Sequence, residues 1–380
     1  MKPETVLAEI AAKGNLRHIP DDTTGREYLY LDFSTNDYLG LATDNNIRAE
    51  FLRQAADDES MFLSSSASRL LAATQKHHTA LEQCLQKMYG YEREVLLFNS
   101  GYHANSGIPA AIADKSTLIV ADKLVHASLI DGIMLSRCDF RRFPHNDLDA
   151  LERIIRNNRD KYSTFIVVVE SVYSMDGDRA DLERLLEIKK AYEGIILYLD
   201  EAHAFGVEGP DGLGLAQGSS SPELWDIVVG TFGKATASMG AFAVISPILK
   251  KLLVNRCRSL IFSTALPPLQ MAWTRRIVEM LPALESRRMH LRHLSARLAD
   301  VLSPLCPDKQ EASHIQPLII GDASKAVKLS KRLLEENIKV LAIRTPTVPA
   351  GTERLRFSLS AAMTDEDIDS LNRALISVFA

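Results

Sequence analysis

The chain has 380 residues, 46% of them hydrophobic, and a formal net charge of -5 at pH 7. This length and apolar content suit one large domain and a smaller one, and the interspersed charges offer no basic stripe to a nucleic acid. Segment 1–15 has no continuous apolar run, and no later segment has the ~18 uninterrupted apolar residues of a membrane span. We therefore expect a cytoplasmic protein that binds neither nucleic acid nor membrane.

The four cysteines are widely spaced and form no C-x-x-C pair, which argues against a disulfide framework and against a zinc site. They are Cys84, Cys138, Cys257 and Cys306. We expect reduced cysteines that fill small apolar spaces, and no bound metal.

From residue 47 to 270, short apolar runs alternate with polar turns and amphipathic stretches, the pattern of strand and helix units around a mostly parallel sheet. The predicted strands are 95–98, 118–120, 165–169, 195–199, 227–229 and 242–245. We predict an α/β fold in which a mostly parallel central sheet is flanked by helices. The expected divisions are an N-terminal arm at 1–46, a large domain at 47–270, and a linker helix with a small α+β domain at 271–380.

Residues 269–302 form a largely helical pattern, although Pro282 must interrupt or kink it because proline lacks a backbone N–H. Apolar or alternating segments follow at 315–320, 338–343 and 354–360. Thr364 then begins a final helix, and Asp367 is spaced from it as in a capping box.

Ligands of such sheets bind beyond the carboxyl ends of the strands, so the residues that follow each apolar run are the candidates for chemistry. Gly101 and Tyr102 open an apparent helix, whose free N–H groups suit a phosphate, although a plain turn with a helix cap has the same sequence. His126 follows the next strand, where an imidazole could stack on a flat ring, although a lone histidine is more often structural. Ser174 lies in a polar segment that could equally be a turn.

Asp200 ends the apolar run 195–199, and His203 follows it. Burying this carboxylate unpaired would cost several kcal/mol, so Asp200 should face a cation. A protonated pyridine nitrogen is one such cation, and its charge makes the ring an electron sink. His203 could then contact the phenolic oxygen of the same ring.

Thr231 and Lys234 follow the strand at 227–229. Most lysines lie in solvent, but the run of small residues at 235–241 makes a solvated face harder to build here. A lysine amine in such a pocket can react with an aldehyde. The position of Lys234 therefore predicts a carbonyl cofactor.

Two nucleotide-binding alternatives fit less well. Residues 200–203 spell DEAH, as in a class of helicases, and Gly233 with Lys234 resembles part of a phosphate-binding loop. That loop needs Ser or Thr after its lysine, whereas Ala235 follows Lys234, and the loop should precede the acidic box. No G-x-G-x-x-G is present, so a nicotinamide dehydrogenase is also disfavoured.

The combined pattern resembles the α-oxoamine synthase family of fold-type I pyridoxal-phosphate enzymes, and the resemblance runs nearly from end to end. It implies a transferase fold of that type with pyridoxal 5'-phosphate as cofactor. The serine-rich segment 64–69 departs from the glycine-rich loop usual in the family. The matching segments are NDYLGL at 36–41, SMDGD at 174–178, DEAH at 200–203, TFGK at 231–234 and FSTALPP at 262–268.

The resemblance assigns residues to the cofactor. Those assigned to its ring are Lys234 as the covalent attachment, Asp200 at the pyridinium nitrogen, His203 at the ring oxygen, His126 stacked on the ring, and Ser174 beside it. Those assigned to its phosphate, or the approach to it, are Gly101, Tyr102 and Thr231. Matches to residues that reach the cofactor phosphate of the neighbouring subunit are Ser263 and Thr264, which implies a homodimer with shared active sites.

The resemblance also implies substrate contacts. Arg17 and Thr347 match acyl-substrate positions, while Asn36 and Arg356 match contacts to an amino-acid carboxylate, which an arginine fork can bind bidentately. Within the family, segments 315–319 and 344–352 look most like the members that join L-alanine to a pimeloyl thioester in biotin biosynthesis.

The implied reaction is a decarboxylative condensation in which the Lys234 amine removes the Cα proton. Members that use glycine with acetyl or succinyl thioesters, or serine with a long acyl chain, need the same core residues and stay alternatives. A non-catalytic scaffold of the same fold is the alternative from another class. The sequence does not distinguish coenzyme A from an acyl-carrier protein as the acyl carrier.

Overall fold

The structure is a computed structural model that describes residues 2–17, 19, 30–72, 75–90, 92–306 and 312–379. The described residues form two compact units. The smaller unit comprises Met1–Tyr38, Met175–Asp178 and Met289–Ala380, and the larger comprises Leu39–Ser174 and Arg179–Arg288. These units divide the chain after Tyr38 and Arg288, whereas the sequence-based division at residues 46 and 270 stays a prediction.

The strands of the described residues, in chain order, are β1 Leu31–Asp32, β2 Glu94–Phe98, β3 Thr117–Asp122, β4 Asp139–Phe143, β5 Thr164–Glu170, β6 Ile195–Asp200, β7 Ile227–Thr231, β8 Ala241–Ile245, β9 Ile315–Ile319, β10 Ile338–Lys339, β11 Leu341–Ile343 and β12 Arg354–Ser358. The helices are α1 Pro3–Ala12, α2 Asn45–Ala56, α3 Lys76–Tyr89, α4 Gly101–Ile112, α5 Ala127–Ser136, α6 Leu148–Asn158, α7 Leu182–Ala191, α8 Leu215–Gly218, α9 Pro247–Arg256, α10 Arg258–Ile261, α11 Pro268–Met280, α12 Glu285–Leu302, α13 Ala323–Glu335 and α14 Asp365–Phe379.

The larger unit is built on a seven-stranded sheet with the strand order β2-β8-β7-β6-β5-β3-β4. All neighbouring strands are parallel except β8, which is antiparallel to both β2 and β7. Every residue of β3 is buried, as expected for a parallel strand covered on both faces. The prediction of a mostly parallel sheet flanked by helices is confirmed, and each of the six predicted strands lies within an observed one.

The sequence does not predict strand β4. Its residues, DFRRF, are mostly exposed at the edge of the sheet, and they contain no apolar run. Charged side chains on an edge strand discourage pairing with another chain, so this composition fits its position.

The parallel strands place their polar terminal residues together. Glu170 at the end of β5 lies directly opposite Asp200 at the end of β6. Strand β7, which pairs in parallel with β6, ends at Thr231. One edge of the sheet therefore carries the residues that follow three different apolar runs.

Helices α4 and α5 pack closely beside this edge. A Cβ atom added at Gly132 of α5 would lie 2.1 Å from the carbonyl oxygen of Asn105 in α4, so only glycine allows this approach. The buried side chains between helix and sheet include Ala104 and Ile108 from α4 and Leu129 from α5. This packing holds α4 against the sheet, with its first turn beside the polar strand ends.

In the smaller unit, β11, β12 and β9 form an antiparallel sheet, and β1 pairs in parallel with β10. The apolar segment 338–343 is thus divided between two sheets. The break falls at Val340, whose carbonyl oxygen accepts a hydrogen bond from the Ser330 hydroxyl at 2.6 Å.

The helical predictions for the C-terminal part agree with the structure. Between α11 and α12 the backbone tightens into a short 3-10 turn that contains Pro282. The predicted capping box is present, since the Thr364 N–H donates to Asp367 at 2.8 Å and the Asp367 N–H donates to the Thr364 hydroxyl at 3.3 Å. Among the described helices, none combines the length and the apolar character that crossing a bilayer requires.

Candidate active site

Side chains from three strand ends and two helix starts surround a cavity of about 170 Å³ in the larger unit. The structure thereby brings together seven of the residues that the sequence assigns to the cofactor. The cavity is lined by Gly101, Tyr102, Asn105, His126, Ser128, Glu170, Asp200, Ala202, His203, Thr231 and Lys234.

Lys234 lies in the loop that joins β7 to β8. The two ends of this loop are held together, because the Phe232 N–H and the Thr231 hydroxyl both donate to the carbonyl oxygen of Gly240, at 2.9 and 3.1 Å. The Nζ atom of Lys234 lies 2.7 Å from Nε2 of His203. The lysine amine is thus aimed at the residues that follow β6.

Asp200 is buried, with 3% of its surface exposed. Its carboxylate accepts hydrogen bonds from the side-chain amide of Asn105 at 2.6 Å and from the Ala202 N–H at 2.8 Å. Both of these donors are neutral. A buried carboxylate held by neutral donors can still accept a hydrogen bond from a cationic nitrogen in the cavity.

Asn105 is a site residue that the sequence reasoning did not assign. Besides Asp200, its amide nitrogen donates to the Ser128 hydroxyl at 3.1 Å, and its amide oxygen accepts from the Tyr198 hydroxyl at 2.8 Å. No local sequence signal identifies it, because it lies within α4 and its contacts depend on how that helix packs against the sheet.

His126 caps the N-terminus of α5. Its Nδ1 atom accepts a hydrogen bond from the Ser128 N–H at 3.2 Å and lies 2.7 Å from the Ser128 hydroxyl. Burial and the nearby charge of Lys234 lower the pKa of His126, while Asp200 acts in the opposite direction. The imidazole therefore lies at the cavity with one nitrogen already engaged.

The N-terminus of α4 supplies backbone donors to the cavity. Ser100 caps this helix by accepting from the His103 N–H at 3.2 Å, and Gly101 and Tyr102 form the first turn. The N–H groups of a first turn have no partner within the helix and suit an anion. Thr231, at the end of β7, lines the cavity beside this turn.

Two further carboxyl groups at this edge are buried. Burial and the charge of Asp200 raise the pKa of Glu170 well above its ordinary value, and its Oε1 accepts no hydrogen bond from the described residues. Burial also raises the pKa of Glu201 to about 7, although the Ala216 N–H donates to this carboxyl at 3.0 Å. The sequence reasoning assigned no role to either residue.

Three predicted cofactor residues do not line this cavity. Ser174 is buried after β5, and its backbone N–H donates to the Glu170 carboxyl. Ser263 lines a separate small cavity, and the carbonyl oxygen of Thr264 accepts from the Asn99 side chain at 2.6 Å. Their assignment to a cofactor, in this subunit or a neighbouring one, stays a prediction.

The predicted substrate residues form two hydrogen-bonded pairs within the smaller unit. The Arg17 guanidinium donates to the Thr347 hydroxyl at 3.0 Å. Both terminal nitrogens of Arg356 lie 3.3 Å from the side-chain oxygen of Asn36, and Arg356 is 6% exposed. The members of each predicted pair therefore lie side by side.

Several proteins resemble this chain over nearly its whole length. The 8-amino-7-oxononanoate synthase of Haemophilus ducreyi is 44% identical over 377 residues, which cover 96% of this chain and 97% of that protein. Among solved structures, the serine palmitoyltransferase of Sphingomonas wittichii has a TM-score of 0.85 and 32% identity, covering 92% of this chain and 87% of that one. The 8-amino-7-oxononanoate synthase of Francisella tularensis has a TM-score of 0.76 and 27% identity, covering 92% and 96%.

These similarities confirm the predicted α-oxoamine synthase relationship and the fold-type I architecture, and they identify the chain as an enzyme of the pyridoxal-phosphate-dependent acyltransferase class. Residues 29–375 match the family described as "Aminotransferase class I and II". The chain belongs to the aminotransferase class I and II family.

Proposed function

We propose that this enzyme condenses L-alanine with a pimeloyl thioester to give 8-amino-7-oxononanoate, carbon dioxide and the free thiol, a step of biotin biosynthesis, with pyridoxal 5'-phosphate as its cofactor. The observation that carries the proposal is the contact of Lys234 with His203 beside the buried Asp200 in one cavity. The similarity to the 8-amino-7-oxononanoate synthase of Haemophilus ducreyi over nearly both full lengths supports the choice of substrates.

The residues present fit the proposed cofactor. Asp200 is a buried carboxylate whose described hydrogen-bond donors are neutral, so it suits the protonated ring nitrogen. The first turn of α4, with Gly101, Tyr102 and the nearby Thr231, suits the phosphate. His126 would face the ring, and Lys234 would attach the cofactor.

When bound, pyridoxal phosphate supplies an electron sink that stabilises the negative charge left at Cα. The chain's residues supply the proton transfers and the positioning. The amine of Lys234 takes the Cα proton of alanine and later returns a proton to the product. Arg356 and Asn36 bind the amino-acid carboxylate, and Arg17 and Thr347 contact the acyl substrate. Holding both substrates in register avoids an entropic cost of several kcal/mol.

The active unit is a homodimer in this proposal. Ser263 and Thr264 reach the cofactor phosphate of the neighbouring subunit, which would explain why they do not line the cavity of their own chain. In this proposal the protein works in the cytoplasm. It accepts its acyl group from coenzyme A or from an acyl-carrier protein.

The test is a matrix of substrates. The enzyme is supplied with pyridoxal phosphate and with alanine, glycine or serine, and pimeloyl, acetyl or palmitoyl thioester is then added while thiol release is followed. We expect alanine with pimeloyl thioester to give the highest kcat/KM. A higher value for glycine with acetyl thioester or for serine with palmitoyl thioester would assign the chain to a sister activity.

The same assay separates the non-catalytic alternative. A scaffold would release no thiol from any pair, and its bound cofactor would show no spectral change on addition of alanine. Measurement of carbon dioxide release in parallel provides a control, because the proposed reaction yields one carbon dioxide for each thiol.

A further inference from the structure

One buried asparagine connects two residues of the cavity that lie on different elements. The amide nitrogen of Asn105 donates to Oδ2 of Asp200 at 2.6 Å and to the hydroxyl of Ser128 at 3.1 Å. The Ser128 hydroxyl in turn lies 2.7 Å from Nδ1 of His126. A continuous line of hydrogen bonds thus runs from Asp200 to His126, and Asn105 and Ser128 are both almost fully buried.

The hydrogen-bond partners of Asn105 define the orientation of its amide. The nitrogen has two hydrogens and faces two oxygen acceptors, while the oxygen faces the hydroxyl of Tyr198 at 2.8 Å. The reversed amide would place its oxygen against the Asp200 carboxylate and would lose both donated bonds. Tyr198 therefore donates to Asn105, and Asn105 donates to Asp200 and Ser128.

The hydrogen-bond partners of His126 likewise determine which of its ring nitrogens has the hydrogen. Because the Ser128 oxygen accepts from Asn105, its single hydrogen is available for Nδ1 of His126. The backbone N–H of Ser128 also points at Nδ1, at 3.2 Å. A nitrogen that faces two donors must present its lone pair, so the hydrogen of a neutral imidazole is on Nε2. The lowered pKa of His126 agrees with a neutral ring.

We propose that Asn105 and Ser128 are positioning residues that hold His126 as the neutral tautomer with its hydrogen on Nε2 while they orient the Asp200 carboxylate. The inference deepens the proposed function, on which it rests for the role of the cofactor. A neutral imidazole facing the ring adds no second positive charge, so the cation would stay at the ring nitrogen beside Asp200. One side chain, Asn105, would thus set both contacts.

The direct test is NMR of the full-length enzyme with 15N-labelled histidine, before and after loading with pyridoxal phosphate. A His126→Gln variant identifies the His126 signals. At pH 7 we expect a protonated Nε2 and an unprotonated Nδ1 in both forms. An imidazolium, or a neutral ring with its hydrogen on Nδ1, in the form without cofactor would overturn the proposal.

Ser128→Ala removes the hydroxyl donor to Nδ1, and we expect it to shift the His126 nitrogen signals and to raise the midpoint of their titration. Ser128→Thr, which keeps a hydroxyl, should restore the original signals. Ser106→Ala is the matched control, because Ser106 is also a buried serine of this region, but its hydroxyl donates to the Tyr102 carbonyl oxygen instead. Unchanged His126 signals in a folded Ser128→Ala protein would contradict the proposal.

Asn105→Ala removes the connection to Asp200 as well. We expect its affinity for pyridoxal phosphate, measured by equilibrium dialysis, to fall roughly tenfold, the effect of about one buried charge-assisted hydrogen bond. Ser106→Ala should keep the original affinity. Equal affinities of Asn105→Ala and the unaltered enzyme would overturn the role of Asn105.

These readouts separate the inference from the proposed function. If His126 has the expected tautomer and the enzyme binds no pyridoxal phosphate, the proposed function fails and the assignment of the tautomer stands. If the enzyme binds the cofactor and releases thiol while His126 is an imidazolium, the proposed function stands and the inference fails.

Discussion

The Nζ atom of Lys234 lies 2.7 Å from Nε2 of His203. At this distance the two nitrogens share a hydrogen bond, so one of them must accept. The pair can therefore hold only one hydrogen between the two nitrogens. An amine that must exchange protons during a reaction benefits from such a neighbour, and the contact places both residues at the edge of the sheet where Asp200 ends β6.

Glu170 should tolerate replacement by the neutral amide of glutamine. Burial and the charge of Asp200 raise the pKa of Glu170 well above its ordinary value, so both favour the neutral acid over the carboxylate. Glu170→Gln has nearly the same shape as the protonated acid, and we expect cofactor affinity and thiol release within about threefold of the unaltered enzyme. Glu170→Ala leaves the backbone N–H groups of His126 and Ser174 without this acceptor. We expect cofactor affinity and thiol release to fall about tenfold in this variant. If glutamine were as damaging as alanine, the ionised acid would be required.

Glu201 should make the fold less stable as the pH rises. Burial raises its pKa to about 7 in the folded protein, from an ordinary value of 4.5. The folded state therefore binds more protons than the unfolded state between these values, and stability falls across that interval by up to about 3 kcal/mol. Glu201→Gln removes this titration.

The measurement for Glu201 is thermal unfolding at pH 5 and pH 8. The stability of Glu201→Gln relative to the unaltered protein should be greater at pH 8 than at pH 5. Glu193→Gln, at an exposed site, should have the same stability as the unaltered protein at both pH values. An equal difference between Glu201→Gln and the unaltered protein at both pH values would show that the carboxyl does not titrate in this range.

Ser66 occupies a backbone conformation that favours glycine. Its φ is +53°, in the left-handed region, where a side chain costs about 1 kcal/mol. This is the segment in which the sequence lacks the usual glycines of the family. We expect Ser66→Gly to raise the free energy of unfolding by about 0.5 kcal/mol, after allowance for the greater freedom of glycine in the unfolded chain. Ser64→Gly, where φ is not positive, should give no gain in the same denaturation assay.

Arg356 should act on alanine binding through its forked shape. Arg356→Lys keeps the charge and loses the paired nitrogens that now face Asn36 at 3.3 Å. If the proposed function holds, the KM for alanine should rise about tenfold or more, with a smaller change in kcat. Arg373→Lys on α14 is the control and should leave both constants unchanged. A fall in kcat at constant KM would place Arg356 in the chemical step instead.

The sequence predicts much of this site through one physical rule. Polar residues that follow buried parallel strands meet at one edge of the sheet, and this rule alone places Asp200 and Lys234 in the same cavity. Asn105 was not found because it lies inside a helix, where position in the sequence does not reveal which side faces the strand ends. Its contact with Asp200 depends on the packing of α4 against the sheet.

Tertiary pairing accounts for the other features that the sequence does not predict. Glu170 lies opposite Asp200 only because β5 and β6 are neighbours, and the order of strands is not written in any local pattern. Strand β4 has no apolar run, and the division of 338–343 between two sheets at Val340 depends on which strands the two halves meet. Such features follow from tertiary pairing, which overrides local preference.

The central claim, that Lys234 attaches the cofactor, is tested most directly by chemical trapping. The enzyme is loaded with pyridoxal phosphate, reduced with borohydride and digested, and the modified peptide is identified by mass spectrometry. The unaltered protein and a Lys115→Ala control, at an exposed lysine, should each carry the label on Lys234, and Lys234→Ala should carry none. A label on a different lysine of the unaltered protein, or an unchanged label in Lys234→Ala, would contradict the account.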